Sequence, residues 1–75
     1  MSTFDKVKEL IAQQLNKAPA EITEDKEIVK DLGADSLDLV EMLLSLEENF
    51  GVTVSDEQTE SIKTVKDIVE IIDNQ

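Results

Sequence analysis

The apolar residues at the start of the chain recur at the spacing of one helical face. They are Phe4, Val7, Leu10, Ile11 and Leu15. Ser2 and Asp5 lie three residues apart at the head of this segment, which is the spacing of a capping box. The pattern predicts a first helix that ends near Asn16, because Pro19 and the residue before it disfavour helical continuation.

The stretch from residue 17 to 35 contains apolar residues but no sustained period. They are Ile22, Ile28, Val29 and Leu32. We expect these side chains to anchor a long loop to the core, although loops beyond roughly 12–15 residues are usually functional or disordered. Gly33 lies near the end of the loop and supplies backbone freedom just before the next helix.

A second helix is predicted to extend to about Phe50, where Gly51 breaks it. Asp35 or Ser36 can cap its start, and Asp38 adds negative charge to its first turn. Residues 52–54 alternate like a strand. One such piece has no partner strand, so we interpret it as an extended connection.

The C-terminal part predicts two further helices. Ser55 can cap a short one that extends to about Ile62. Thr64 and Asp67 repeat the capping-box spacing before a last helix, whose apolar residues are Val65, Ile68, Val69, Ile71 and Ile72. The expected fold is all-α: a small four-helix bundle of three longer helices and one short helix, with the long ordered loop between helices one and two. Residues 1–75 are expected to form a single domain, since the length leaves no room for a second.

The composition limits the chemistry of the chain. It has no Cys, which excludes disulfides, thiolate metal sites and a thiol nucleophile. It also has no His, so the usual general base at neutral pH is missing. We therefore expect a protein that is not an enzyme and that has no specific metal site.

The net charge of −11 indicates which partners are favoured. It repels nucleic acid and anionic lipid headgroups and favours basic proteins. No stretch approaches the roughly 20 apolar residues of a membrane span. We expect a soluble, cytoplasmic monomer that neither binds nucleic acid nor inserts into a membrane.

The second helix has two apolar sides. At about 100° per residue, one side holds Leu39, Met42, Leu43, Leu46 and Phe50, and nearly opposite lie Leu37, Val40 and Leu44. A small bundle buries one stripe of a helix, so the second stripe is expected to be exposed. The segment from Asp31 to Ile62 holds nine acids and no base, which would frame that stripe with negative charge. This arrangement is typical of a transient docking surface. The alternative is that the loop of residues 17–35 folds over the stripe.

Ser36 lies at the predicted start of this acidic helix. A serine there is most often only a cap. Nothing in the sequence activates its hydroxyl, because the chain lacks His and the neighbouring residues are carboxylates. If Ser36 takes part in chemistry, another protein must catalyse the reaction.

The segment "DLGADSLDLVE", residues 31–41, resembles the prosthetic-group attachment motif of acyl carrier proteins. Gly33, Asp35, Ser36, Leu37 and Asp38 all match that motif in register. The similarity continues through "LSLEENFGV" and "SDEQTESIKTV" and includes the total length. It therefore covers nearly the whole chain.

The resemblance implies that Ser36 receives 4′-phosphopantetheine from coenzyme A, through a Mg²⁺-dependent carrier protein synthase, which is a phosphopantetheinyl transferase. The thiol of that arm would hold the growing acyl chain as a thioester for the enzymes of type II fatty acid synthesis and for acyltransferases. Basic patches on these enzymes would bind the residues that match the family's recognition helix: Asp35, Leu37, Asp38, Val40, Glu41, Leu44, Glu47 and Glu48. Family members also enclose the acyl chain between helices, which here implies a lining of Leu39, Met42, Leu46, Ile62 and Ile72.

Two positions depart from the family pattern. Ile28 stands where many members have Phe, and Ser55 stands where many have Pro. These departures leave the length of the acyl chain undecided.

Three other functions are open. A carrier of polyketide, nonribosomal peptide or D-alanine pathways would share the fold and the serine. A calcium sensor is disfavoured, because "DLGADSLD" lacks the alternating oxygen ligands of a calcium loop. In a purely structural adaptor, Ser36 would be only a cap.

Overall fold

The computed structural model describes residues 2–75, which form four α-helices and no β-strand. The helices are α1 (Thr3–Leu15), α2 (Ser36–Phe50), α3 (Asp56–Ser61) and α4 (Val65–Asp73). A 3-10 turn at Pro19–Glu21 lies in the connection between α1 and α2. The expected all-α bundle of three longer helices and one short helix is confirmed, including the long connection.

Each of the four α-helices begins with a complete capping box. The pairs are Ser2 with Asp5, Asp35 with Asp38, Ser55 with Gln58, and Thr64 with Asp67. In each pair the first side chain accepts a hydrogen bond from the backbone of the second, and the second side chain accepts one in return. Such caps stabilise a helix by about 1 kcal/mol, so the local sequence determines where each helix begins.

Left-handed residues end α1 and α2 at the predicted positions. Asn16 has φ of 56° and donates its backbone N–H to Ala12 and Gln13. Gly51 has φ of 66° and donates to the carbonyl of Glu47. A glycine takes this conformation without the steric cost that other residues incur, which explains the sharp break after α2.

The core lies between α1, α2 and α4. It is entirely aliphatic apart from one methionine, and its most deeply buried large side chains are Ile11, Ile22, Ile28, Met42, Leu46, Ile68, Val7 and Val65. Helix α1 packs against both α2 and α4. Helix α3 contributes no buried residue, so its position depends on the segments that flank it.

The loop between α1 and α2 is anchored mainly as expected, with one correction. Ile22, Ile28 and Leu32 are buried, whereas Val29 is 58% exposed. The Val29 carbonyl accepts a hydrogen bond from Gly33, and that of Ile28 accepts one from Ala34, within one tight turn. Because Ile28 turns its side chain into the core, the next residue faces outward. The expected anchoring by Val29 is therefore wrong.

The pattern also did not predict the 3-10 turn. Pro19 occupies its first turn, where a missing N–H costs nothing. The Glu21 carboxylate accepts a hydrogen bond from the Ala18 backbone at 2.9 Å. Three residues are too few to show a hydrophobic period, so Pro19 was the only sequence signal for this turn.

The second half of this loop is tied to the start of α4. Ile28 N donates to Lys63 O at 2.9 Å, and Val65 N donates to Lys26 O at 3.1 Å. Glu27 and Thr64 form an isolated antiparallel bridge between these contacts. The contacts explain how a connection of this length is ordered.

Candidate functional site

Ser36 is the first residue of α2, and its side chain is exposed. The cap of the helix is Asp35, whose Oδ1 accepts a hydrogen bond from Asp38 N at 2.8 Å. Asp38 Oδ2 in turn accepts one from Asp35 N at 3.3 Å. Of the two residues that the sequence allowed as caps, the structure thus selects Asp35. Among residues 2–75, nothing forms a hydrogen bond with the Ser36 hydroxyl.

The backbone on both sides fixes Ser36 in place. Ala34 is buried, and its N–H donates to Ile28 O at 3.1 Å. Gly33, at φ of 74°, makes the turn that leads the chain from the core to the surface. The serine hydroxyl therefore projects from a rigid frame at the positive end of the α2 dipole, where a phosphate ester is electrostatically favoured. An accessible hydroxyl in this position fits the attachment of a phosphate-linked group.

The apolar stripe of α2 consists of Leu37, Val40 and Leu44, and it is exposed. The exposed fractions of these side chains are 65%, 51% and 54%. The opposite side of α2 buries Met42, Leu43 and Leu46 in the core. The alternative in which the loop covers this stripe is therefore wrong, and the stripe is open to a partner.

Four carboxylates of α2 form the rim of the stripe: Asp38, Glu41, Glu47 and Glu48. Three of the four accept a hydrogen bond from within the chain. Besides the capping bond of Asp38, Glu41 Oε2 accepts from Gln14 Nε2 at 2.9 Å, and Glu47 Oε2 accepts from Val54 N at 3.0 Å. Glu48 is exposed, and in the described part of the chain its carboxylate accepts no hydrogen bond. The rim is thus partly fixed in position before any partner binds.

No ion pair within residues 2–75 includes a carboxylate of the rim. In residues 2–75 two ion pairs are present, Lys8 with Asp5 at 3.7 Å and Lys63 with Glu27 at 3.5 Å, and neither includes a rim residue. Both pairs are at least partly exposed and so contribute little to stability. The uncompensated carboxylates give the stripe the electrostatic character that a basic surface would complement.

A groove of about 190 Å³ continues the stripe toward α3. Its lining consists of Val40, Leu43, Leu44, Glu47, Val54, Asp56 and Thr59. Sequence reasoning identified neither Val54, Asp56 and Thr59 as lining of this groove nor Gln14 as the hydrogen-bond partner of Glu41. The side chains come from three other segments, and a helical period within α2 cannot indicate what packs beside it.

The residues expected to line an acyl chain all lie at the core. Met42 and Leu46 are fully buried, and Leu39, Ile62 and Ile72 are partly buried against the same cluster. They come from α2, from the end of α3 and from α4, so they lie where these segments pack together. Their role stays a prediction.

Two other kinds of feature are absent from residues 2–75. No group of three or more Asp and Glu side chains is placed to hold a metal ion. No helix is both long enough and apolar enough to cross a membrane.

Comparison with known proteins gives consistent matches over nearly the whole chain. The family model for the phosphopantetheine attachment site matches residues 5–72. The chain is 50% identical over 74 residues to an acyl carrier protein of a Sulfurovum species, with 99% of each chain covered. It is 48% identical over 73 residues to an acyl carrier protein of Wolinella succinogenes, with 97% of this chain and 96% of that one covered.

A solved structure agrees with these sequence matches. The protein is from Mycobacterium tuberculosis and is assigned provisionally to the acyl carrier proteins. It superposes with a TM-score of 0.91 at 29% identity, with 97% of each chain covered. Residues 5–72, which the family model matches, include the loop, Ser36 and all of the four helices except the outer ends of α1 and α4. The chain belongs to the acyl carrier protein family, whose members bear 4′-phosphopantetheine.

Proposed function

We propose that Ser36 is the residue that bears the 4′-phosphopantetheine arm of this acyl carrier protein. The observation that carries the proposal is the division of roles at the start of α2. Asp35 caps the helix, which leaves the Ser36 hydroxyl exposed and without a hydrogen-bond partner in the described chain. The hydroxyl is therefore accessible, and its loss would not unfold the helix.

The attachment reaction requires an enzyme that this chain does not supply. Ser36 Oγ forms a bond to the phosphorus of the phosphopantetheine moiety of coenzyme A, the pyrophosphate bond breaks, and adenosine 3′,5′-bisphosphate leaves. The transferase accepts the hydroxyl proton, since the sequence has no His and the neighbours of Ser36 are carboxylates. When bound, the arm supplies the thiol that a chain without Cys lacks. The chain itself is thus proposed to present substrates without transforming them.

The exposed stripe and its rim are the proposed docking surface for the carrier protein synthase, the enzymes of fatty acid synthesis and acyltransferases. Leu37, Val40 and Leu44 would contact apolar side chains of the partner, and the rim carboxylates would attract its Lys and Arg residues. Asp35 would add its charge beside the serine. Because rim charges act mainly on the rate of association, binding should weaken as salt increases.

Three further expectations belong to the same proposal. Residues 1–75 would act as one carrier domain, which agrees with a family match that extends over residues 5–72. The space beside Met42 and Leu46 would open to hold the acyl chain. The protein would work as a monomer in the bacterial cytoplasm, where its partners synthesise fatty acids.

The test is the intact mass before and after incubation with coenzyme A, Mg²⁺ and a phosphopantetheinyl transferase. The wild type should gain one phosphopantetheinyl group. Ser36→Ala should gain none. Ser61→Ala should be modified like the wild type, because Ser61 is an exposed serine at the C-terminal end of α3 and not at a helix start. If an unmodified wild type gained no mass from a transferase active on a control carrier, the proposal would fail and a structural adaptor would be favoured.

A further inference from the structure

Glu47 and Glu48 are neighbours in the rim, but their surroundings differ. The Glu47 side chain is half-buried, and its Oε2 accepts a hydrogen bond from Val54 N at 3.0 Å. Glu48 is exposed and has no such bond within residues 2–75. Two glutamates that look equivalent in the sequence therefore have different structural roles.

Glu47 forms hydrogen bonds with both ends of the segment from Gly51 to Val54, which follows α2. Its backbone carbonyl accepts the N–H of Gly51 at 2.9 Å, and its carboxylate accepts the N–H of Val54. Between these two points Thr53 is held from the other side, since it exchanges two hydrogen bonds with the side chain of Gln75. The extended connection thus lies between two polar anchors, one on α2 and one beyond α4.

The placement of α3 depends on this connection. Ser55, which caps α3, directly follows Val54, and α3 itself contributes no buried residue. Val54 is half-buried against the core and lines the groove together with Val40 and Leu44. The bond from Glu47 to Val54 therefore joins the stripe on α2 to the opposite wall of the groove.

We propose that Glu47 is a positioning residue that fixes Val54 and the start of α3, and so maintains the shape of the groove into which a partner docks. The inference rests on the proposed function, because it assigns a second role to a residue of the proposed docking surface. A carboxylate has about four lone-pair sites on its two oxygens, so Oε1 stays available to a basic group of the partner. Glu47 then contributes both charge and shape, whereas Glu48 contributes charge alone.

Substitutions can separate these two contributions. Glu47→Gln removes the charge but keeps an oxygen that can accept the Val54 N–H. Glu47→Ala removes both. Glu48→Gln and Glu48→Ala are matched controls one residue away, and they change charge without touching the connection.

The first readout is hydrogen exchange of the Val54 amide in the protein without a partner. Loss of a hydrogen bond to a charged acceptor should increase this exchange about tenfold in Glu47→Ala. Glu47→Gln should restore most of the protection, and both Glu48 variants should leave it unchanged. Equal Val54 exchange in Glu47→Ala and Glu48→Ala would overturn the positioning role.

The second readout is the affinity for the phosphopantetheinyl transferase at low and at high salt. The loss caused by Glu47→Gln and by both Glu48 variants should disappear at high salt, because screening removes a charge effect. The loss caused by Glu47→Ala should persist, because the shape of the groove does not depend on salt. A loss that vanished at high salt in every variant would overturn the link between Glu47 and the groove. A wild type that did not bind the transferase would contradict the proposed function, whereas the exchange data would still decide whether Glu47 positions Val54.

Discussion

The carboxylates of Asp35 and Asp38 each accept a hydrogen bond from the backbone N–H of the other residue at the start of α2. Asp35 Oδ1 accepts from Asp38 N at 2.8 Å, and Asp38 Oδ2 accepts from Asp35 N at 3.3 Å. Ser36 lies between them in the sequence and takes no part in either bond. Helix initiation and the proposed attachment are thus assigned to different side chains, so that modification of the serine leaves the cap intact.

This division predicts unequal effects on stability for two adjacent substitutions. Ser36→Ala should change the free energy of unfolding by less than about 0.5 kcal/mol, because the side chain is exposed and has no partner. Asp35→Ala should lower it by about 1 kcal/mol, because the α2 cap is lost. Urea denaturation followed by circular dichroism measures both. A loss in Ser36→Ala as large as that in Asp35→Ala would show that the serine itself is the cap.

The loop predicts a similar contrast between neighbours. Ile28 is 1% exposed and Val29 is 58% exposed. Ile28→Ala should lower the free energy of unfolding by about 2–5 kcal/mol, since it leaves a cavity in the core. Val29→Ala should lower it by less than about 0.5 kcal/mol. Comparable losses in the two variants, measured by the same denaturation, would contradict the turn that directs these side chains apart.

The capping box of α4 predicts a pH dependence centred on Asp67. Hydrogen bonds from the backbone of Thr64, and less strongly from that of Lys63, hold the pKa of Asp67 below its ordinary value of 3.8. A folded-state pKa below the unfolded one stabilises the protein above the unfolded pKa. That stability is lost as the pH falls through the folded pKa.

Asp67→Asn should therefore be less stable than the wild type near neutral pH. The difference should begin to shrink below about pH 4 and should continue to shrink as the pH falls through the lower folded-state pKa of Asp67. Denaturation midpoints of both proteins between pH 7 and pH 3 test this. A constant difference over the whole range would show that the charge of Asp67 does not contribute.

The excess of acids predicts that added salt stabilises the fold. The chain has a net charge of −11, and its described residues form only two ion pairs. Screening should weaken the repulsion among the carboxylates, so the melting temperature should rise with NaCl. Sucrose at equal osmolality is the control for a general solute effect. A melting temperature independent of NaCl would count against repulsion as a destabilising force.

Most of the fold could be predicted from local sequence, because helix boundaries here depend on neighbouring residues. Capping pairs such as Ser2 with Asp5, and left-handed ends at Asn16 and Gly51, lie within a few positions of the helices they delimit. The exposed stripe followed from the same periodicity. The outward position of Val29 could not be predicted, since it depends on a turn that no period describes.

The contacts that orient the side chains of the candidate site could not be predicted from the sequence either. Gln14 and Glu41 are 27 positions apart, and their hydrogen bond depends on how α1 packs against α2. The bond from Val54 to Glu47 depends on the path of a connection that has no regular structure. The sequence thus indicated the charged residues of the proposed docking surface but not the contacts that orient them.

On the ribosome, the loop that precedes Ser36 is synthesised well before the segment that orders it. The backbone groups of Lys26 and Ile28 find their partners, Val65 and Lys63, only after nearly forty further residues have been added. Until then, the loop lacks the two backbone hydrogen bonds that join it to the start of α4. The backbone frame that leads to Ser36 is therefore complete only once the segment that begins α4 has been synthesised.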